Sequence, residues 1–278
     1  MNVEQLFDLS GKVVIITGAA GNLGSRYADG LSQFGANVVL ADIDYIKCKQ
    51  MAKKIKEKYL TDPEPIKLDL TKKKSISNMV SKVLKKYSKI DVLINNASNN
   101  AKVESVEKDQ NFSRLENFDL EKWNQDMAVG LTGAFLCSKH FGFAISKNSN
   151  GGSIINISSD LGVIAPDQQI YQKKGLTDEQ QMVKPVSYSV VKTGLIGLTR
   201  YLATYWALKN VRCNALCPGG ILNDHLTDDF LKNMHQRIPM GRMANVDDYK
   251  SAIVFMISDA SSYLNGAILS IDGGRSVW

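Results

Sequence analysis

A tyrosine and a lysine four residues apart are the strongest candidates for chemistry in this sequence. Tyr188 and Lys192 occupy positions i and i+4 of a helical pattern, so we expect their side chains on the same helix face. A nearby ammonium favours the phenolate and lowers the pKa of a tyrosine from its free value of about 10. Such a tyrosine can act as a general acid or base. An ordinary amphipathic helix surface is the alternative for a pair at this spacing.

A glycine-rich turn near the N-terminus is a candidate phosphate-binding site. Residues 17–24 read TGAAGNLG, after a strand pattern and at the start of a helical pattern. Gly18 allows a sharp turn off the strand, and Gly24 allows the helix to approach closely. The N–H groups and the dipole of the helix start would then face a pyrophosphate. A glycine cluster by itself is also compatible with a purely structural strand end.

An aspartate at the end of the next strand pattern indicates which dinucleotide would bind. Asp42 follows the turn by roughly 20 residues, the spacing at which a carboxylate meets the adenosine ribose. It would accept hydrogen bonds from both ribose hydroxyls and repel a 2′-phosphate. No lysine or arginine adjoins it in the sequence, so we expect NAD as the cofactor. The alternative is that Asp42 or Asp44 only caps the following helix.

Short β-branched runs alternate with helical patterns along the whole chain, and these elements must position the candidate residues. The runs are Val13–Thr17, Val38–Ala41, Ile66–Leu68, Val92–Asn95, Ser153–Ser158, Val211–Leu216 and Ala267–Ile271. They are apolar on both faces, which is typical of a covered parallel sheet. Trp123–Lys147 and Ser187–Lys209 are the longest helical stretches. The alternation predicts an α/β fold with a doubly wound sheet and one domain over residues 1–278.

The composition excludes several classes of protein. The 278 residues are 44% hydrophobic and 22% charged, an ordinary globular balance. We expect no membrane span, because no stretch approaches 18 uninterrupted apolar residues, and no secretory signal. The four cysteines lack a C-x-x-C pair or a zinc-ligand spacing, so we expect no metal site and a cytoplasmic location with reduced thiols.

The net charge of +6 raises the question of an acidic partner. The lysines are scattered over two amphipathic helix patterns, and no aromatic residues interleave with them at a stacking spacing. A small anionic substrate or cofactor therefore explains the charge without nucleic acid.

Seven motifs, in order along nearly the whole chain, resemble those of the classical short-chain dehydrogenases/reductases. They are TGAAGNLG at 17–24, Asp69 in KLDL, NNAS at 95–98, INISS at 155–159, YSVVK at 188–192, NALCPGGI at 214–221 and IDGG at 271–274. The resemblance implies a Rossmann-type sheet of seven parallel strands in the order 3-2-1-4-5-6-7. It also implies a nicotinamide cofactor and a homotetramer or homodimer built on the two long helices.

The resemblance also assigns roles to individual residues. Tyr188 would exchange a proton with the substrate hydroxyl or carbonyl, Lys192 would also hold the nicotinamide ribose, and Ser159 would hydrogen-bond the substrate oxygen. With the glycine turn included, the predicted cofactor contacts are Gly18, Gly21, Asn22, Leu23, Asp42, Asp69, Leu70, Asn96, Ala97, Tyr188, Lys192 and Ile221. For Asn95 and Asn96, a structural role at the edge of the sheet is an equal alternative.

A second tyrosine lies nearer to Ser159, at close to the usual family separation. Tyr171 is followed four residues later by Gly175, so it lacks the lysine that Tyr188 has. We therefore predict an insertion at about residues 160–187, which walls the substrate pocket; a tolerated surface insertion is the alternative. Asn99–Leu120 is another long polar connection, and such connections are often lids or binding loops.

Three positions depart from the family pattern. Asn22 replaces a glycine of the turn, and we expect the turn to survive because asparagine tolerates left-handed backbone angles. Ser98 also replaces a glycine. Gly130, in VGLTG, replaces an asparagine that supports a proton-relay water. We expect the Gly130 backbone carbonyl to bind this water, because glycine permits a helix irregularity.

These features favour an NAD-dependent oxidoreductase that interconverts a secondary alcohol and a ketone of a small-molecule substrate. The insertion, VGLTG and the IAPDQ stretch resemble the short-chain dehydrogenases associated with surface-sugar or flagellin glycan biosynthesis, which implies a sugar or sugar-nucleotide substrate. One alternative is a 3-oxoacyl thioester reductase, although those enzymes usually prefer NADPH and Asp42 argues against it. The other is a non-catalytic dinucleotide-binding regulator, which only the change at Gly130 supports.

Overall fold

The computed structural model describes residues 2–59, 61–100 and 112–278, and a seven-stranded parallel sheet lies at its centre. The strand order is β3-β2-β1-β4-β5-β6-β7, so the predicted fold class and strand order are confirmed. The strands are β1 Val13–Thr17, β2 Asn37–Asp42, β3 Glu64–Lys67, β4 Val92–Asn95, β5 Gly152–Ile157, β6 Val211–Pro218 and β7 Ile268–Ile271. Each lies within two residues of its predicted bounds.

The helices cover both faces of the sheet. Their bounds are α1 Val3–Leu6, α2 Asn22–Gln33, α3 Tyr45–Tyr59, α4 Lys73–Tyr87, α5 Leu120–Ile145, α6 Val186–Tyr205, α7 Asp228–His235 and α8 Lys250–Ile257. Helix α5 begins three residues before the predicted start and contains two π-helical turns, Ala128–Thr132 and Ser138–Gly142. Helix α6 ends at Tyr205 and is followed by a 3-10 turn at Ala207–Lys209.

Alternate residues of each central strand enter different cores, which explains why the strands are apolar on both faces. In β1, Val14 and Ile16 pack with α2 and α8, whereas Val13 and Ile15 pack with α4 and α5. The two cores leave only the strand ends open to polar ligands.

Helix α5 is long and apolar enough, by length and composition, to cross a membrane. Half of its most apolar window is buried inside this fold, and buried core helices share that pattern.

The insertion packs as a small third core against the segment that follows β6. Ile170, Tyr171 and Met182 contact Phe230 and Met234 there. Within it, Thr177 begins a 3-10 turn with a capping box, because its N–H donates to Gln180 Oε1 at 3.0 Å. Residues 101–111 of the other long connection lie outside the described residues.

Candidate active site

A cleft of about 1040 Å³ lies at the carboxyl ends of the strands, where open α/β sheets bind ligands. Every residue that the sequence predicts for catalysis or cofactor contact lines it. These are Gly18, Gly21, Asn22, Leu23, Asp42, Asp69, Leu70, Asn96, Ala97, Ser159, Tyr188, Lys192 and Ile221. The sequence motifs are thus brought to one place by the parallel order of the strands.

The glycine turn leaves no room for side chains at two of its positions. Gly18 has a φ of +64°, and a Cβ there would stand 2.7 Å from the Cα of Ala97. A Cβ on Gly24 would stand 2.3 Å from the carbonyl oxygen of Gly18. The backbone can therefore approach a ligand closely, as pyrophosphate binding at the start of α2 requires.

Asn22 does not use the left-handed backbone that asparagine tolerates. Asn22 is the first residue of α2, and the non-glycine residues with positive φ in the described chain are Ser88 and Asn210. Gly18 makes the sharp turn, so position 22 carries a side chain without strain.

The structure separates the two alternatives for the aspartates after β2. Asp44 caps α3, because its Oδ1 accepts the N–H of Lys47 at 3.0 Å. Asp42 lines the cleft, and its Oδ2 accepts the N–H of Ala20, within the glycine turn, at 3.0 Å. The Asp44 N–H donates to the other Asp42 oxygen at 2.9 Å. The Asp42 carboxylate is therefore fixed beside the turn.

The amides of Asn95 and Asn96 both make structural hydrogen bonds. Asn95 is buried, and its Nδ2 donates to Asn156 Oδ1 at 2.8 Å. Asn96 Nδ2 donates to the carbonyl oxygens of Thr17 and Gly18, both at 3.0 Å. Asn96 therefore lines the cleft while its amide holds the turn at the end of β1.

Asp69 lines the same end of the cleft beyond β3. Its Oδ1 accepts hydrogen bonds from the side-chain hydroxyl of Thr71 at 2.6 Å and from the Thr71 N–H at 3.0 Å. The Thr71 hydroxyl is the main group that lowers the pKa of this carboxyl, so Asp69 is an anionic acceptor at neutral pH.

Tyr188 and Lys192 lie together in the cleft, one turn apart on α6. Lys192 Nζ lies 5.5 Å from the centroid of the Tyr188 ring and donates to the carbonyl oxygen of Ile157 at 2.9 Å. Burial lowers the pKa of the Lys192 ammonium to about 8. Lys192 thus places a buried positive charge near the half-buried phenol of Tyr188.

Ser159, just beyond β5, is held by the residue that follows it. Its hydroxyl donates to Asp160 Oδ1 at 2.7 Å, and the other Asp160 oxygen forms an ion pair with Arg275 Nη1 at 2.5 Å. Both charged side chains are buried. Ser159 is thereby fixed at the wall of the cleft that Tyr188 also lines.

Tyr171 is buried in the cleft wall on the insertion. Its ring packs against Phe230 with 5.6 Å between the centroids. It does not lie on α6, so it is not in register with Lys192 as Tyr188 is.

Gly130 lies in the π-helical turn Ala128–Thr132, so the helix irregularity expected there is present. The space beside Gly130 is occupied by Val191 of α6.

Sequence reasoning missed three charged residues that line the cleft, namely Lys184, Asp160 and Arg275. Lys184 precedes Tyr188 by four residues, as Lys192 follows it by four, and this symmetric spacing is a signal in the sequence. The pairing of Asp160 with Arg275 joins residues 115 positions apart, and no local pattern indicates it.

The residues of the cleft fit a nicotinamide dinucleotide. The turn has glycine where a Cβ would collide with backbone, and the fixed Asp42 carboxylate lies next to it. Tyr188 and Lys192 lie in the same cleft. Among the residues that the structure describes, no group of three histidine, cysteine or acidic side chains is arranged to hold a metal ion.

Comparisons with known proteins identify the family of the chain. The enoyl-(acyl carrier protein) reductase family model matches residues 18–276. The chain is 33% identical to the NADP-dependent mannitol dehydrogenase of Alternaria alternata, over 99% of this chain and 96% of that protein. It is 31% identical to the NAD-dependent glycerol dehydrogenase of Listeria innocua, over 98% and 96% of the two chains.

A solved structure shows the same fold and supplies the family name. The crystal structure of a short-chain type dehydrogenase/reductase from Mycobacterium marinum superimposes with a TM-score of 0.84 at 26% identity, covering 99% of both chains. The chain therefore belongs to the short-chain dehydrogenase/reductase family and is an NAD(P)-dependent oxidoreductase acting on CH–OH groups.

Proposed function

We propose that the protein is an NAD-dependent dehydrogenase that interconverts a secondary alcohol and a ketone on a sugar or sugar-nucleotide. Ser159, Tyr188 and Lys192 are its catalytic residues. One observation carries the proposal: the phenol of Tyr188 and the ammonium of Lys192 line the same cleft as the glycine turn.

In this proposal the side chains handle the proton and the developing charge on oxygen. A nicotinamide dinucleotide held by the glycine turn and Asp42 would supply the hydride acceptor for oxidation and the hydride donor for reduction. As the alcohol is oxidised, the Tyr188 phenolate takes the hydroxyl proton, so the substrate loses one hydride and one proton and becomes a ketone. The Ser159 hydroxyl turns from Asp160 to the substrate and donates a hydrogen bond to the substrate oxygen, and the Lys192 ammonium favours the phenolate.

The preference for NAD rests on Asp42. Its carboxylate is fixed by Ala20 and Asp44, so it cannot easily swing away from a 2′-phosphate. Asp42→Asn should raise the ratio of kcat/KM with NADP to kcat/KM with NAD by about tenfold or more. Asp44→Asn is the control and should leave the ratio unchanged. Equal use of both cofactors by the wild type would contradict the proposal.

The sugar substrate is supported by the insertion. Tyr171 and Lys184 of the insertion line the cleft, and Tyr171 packs on Phe230 from the segment after β6. These contacts support an insertion that walls the substrate pocket. These contacts are compatible with the dehydrogenases of surface-sugar or flagellin-glycan biosynthesis. We propose that the protein belongs to that group within the family.

Turnover with a substrate panel tests the function. The purified protein would be incubated with NAD and a panel of polyols, sugar acids and sugar-nucleotides, and NADH formation followed by absorbance. We expect NADH with at least one sugar-type alcohol. Faster reduction of a 3-oxoacyl thioester with NADPH would favour the reductase alternative. Binding of NAD without turnover of any compound, in either direction, would favour the regulator.

We also propose a cytoplasmic homotetramer or homodimer that associates through α5 and α6. Large aromatic side chains are exposed on both helices: Phe135 and Phe143 on α5, and Tyr201 and Tyr205 on α6. Light scattering coupled to size-exclusion chromatography should show a dimer or tetramer, which Tyr201→Glu should weaken.

A further inference from the structure

Lys184, Tyr188 and Lys192 all line the cleft. Along the chain, Lys184 precedes Tyr188 and Lys192 follows it. The three residues follow one another at intervals of four, Lys184 two residues before the start of α6 and the other two within it. Lys184 Nζ lies 4.3 Å from the centroid of the Tyr188 ring, closer than the 5.5 Å of Lys192 Nζ. The predicted insertion thus brings a second ammonium to the phenol.

The position of Lys184 is fixed by its surroundings. Its backbone N–H donates to Gln168 Oε1 at 2.8 Å, and its Nζ donates to Asn100 Oδ1 at 2.9 Å. Only 6% of the residue is exposed, although it lines the cleft. A lysine ammonium held at this depth in a cleft is stabilised further when an anion enters beside it.

The charges of the cleft are divided between its two ends. Asp42, the last residue of β2, and Asp69, beyond β3, lie at the nucleotide end. Around Tyr188, the described lining residues supply the ammonium groups of Lys184 and Lys192, while the carboxylate of Asp160 is ion-paired with Arg275. Two ammonium groups of the described residues therefore lie near the Tyr188 ring, where an anionic group of the substrate would meet them.

We propose that Lys184 binds an anionic group of the substrate, a carboxylate or a phosphate, next to the carbon that reacts at Tyr188. The inference deepens the proposed function, on which it rests, by restricting the sugar substrate to an acid or a phosphate ester. Because the ammonium contacts the substrate and not only Tyr188, it discriminates between anionic and neutral compounds of the same skeleton.

Binding of matched pairs tests this inference separately from turnover. Tartrate and threitol share four carbons and two secondary hydroxyls. The terminal groups are carboxylates in tartrate and CH₂OH groups in threitol. Glycerol 3-phosphate and glycerol form the phosphate pair. Isothermal titration calorimetry with the NAD-loaded protein would give the Kd of each compound for the wild type, Lys184→Met and Lys184→Arg. Lys174→Met, an exposed lysine of the same insertion, is the matched control.

We expect the wild type to bind at least one anion about tenfold to a hundredfold more tightly than its neutral partner. Lys184→Met should reduce that ratio to within about threefold, whereas Lys184→Arg and Lys174→Met should keep most of it. Tighter binding of tartrate assigns a carboxylate, and tighter binding of glycerol 3-phosphate assigns a phosphate.

Equal binding within both pairs by the wild type would overturn the inference. So would an equal loss of anion and neutral binding in Lys184→Met, since Lys184 would then act only on Tyr188 or on the fold. Failure of the proposed function would be seen in a separate measurement. The substrate panel would then show no turnover, independently of the Kd ratios.

Discussion

Val191 of α6 occupies the space into which a side chain at Gly130 of α5 would point. A Cβ built on Gly130 would stand 2.6 Å from Val191 Cγ1, well inside the normal contact distance of two carbon atoms. Val191 is β-branched and cannot easily rotate away within a helix. The asparagine that the family pattern has at this position therefore does not fit beside Val191 in this packing.

Substitution of Gly130 by alanine should destabilise the protein, although alanine is the better helix former. We expect a loss of about 1–3 kcal/mol in the free energy of unfolding from overpacking against Val191. Gly30→Ala in α2 is the control, because a Cβ there meets Lys250 Cβ at an ordinary 3.4 Å. It should be neutral or gain up to about 1 kcal/mol. Urea unfolding measures both, and a stabilised Gly130→Ala would contradict the packing argument.

The buried pair of Asp160 and Arg275 should contribute strongly to stability, because removal of one partner leaves a charge without compensation. Arg275→Met should cost about 3–5 kcal/mol in unfolding free energy. Lys12→Met removes the pair of Lys12 and Asp259, which has 2.9 Å between its charged atoms and is partly exposed, and should cost less than about 1 kcal/mol. Similar losses of unfolding free energy in the two variants would contradict the expectation that burial makes the pair of Asp160 and Arg275 harder to break.

The buried Lys192 ammonium should make stability depend on pH above neutrality. Burial lowers its pKa from 10.5 to about 8, so below pH 8 both folded and unfolded states bind the proton and the burial penalty is fully present. Between pH 8 and 10.5 the unfolded state keeps the proton that the folded state loses, and stability from this group rises.

Thermal unfolding of the wild type and of Lys192→Met at pH 7 and pH 10 measures this effect. The Tm of the wild type relative to the variant should increase from pH 7 to pH 10. The exposed Lys174→Met should show no such change. A Tm difference that is the same at both pH values would contradict the lowered pKa.

The sequence alone predicts the fold and most of the cleft because its signals are local. Each strand is a short apolar run, and the turn at Gly18 and the pair of Tyr188 and Lys192 are set by spacing along the chain. Parallel strands then bring their carboxyl ends to one edge, so the separate motifs meet there.

The features that the sequence did not indicate arise from contacts between distant segments. The ion pair of Asp160 and Arg275 and the position of Val191 beside Gly130 depend on how the chain packs.

The most direct test of the catalytic assignment is Tyr188→Phe, which removes one oxygen atom and keeps the ring near Lys184 and Lys192. Steady-state kinetics with the best alcohol of the panel would be combined with calorimetric titration of NAD. We predict that kcat falls at least about a hundredfold, because the proton acceptor is lost, while the Kd for NAD stays within about threefold of the wild type. A variant that keeps a kcat close to that of the wild type would contradict the account.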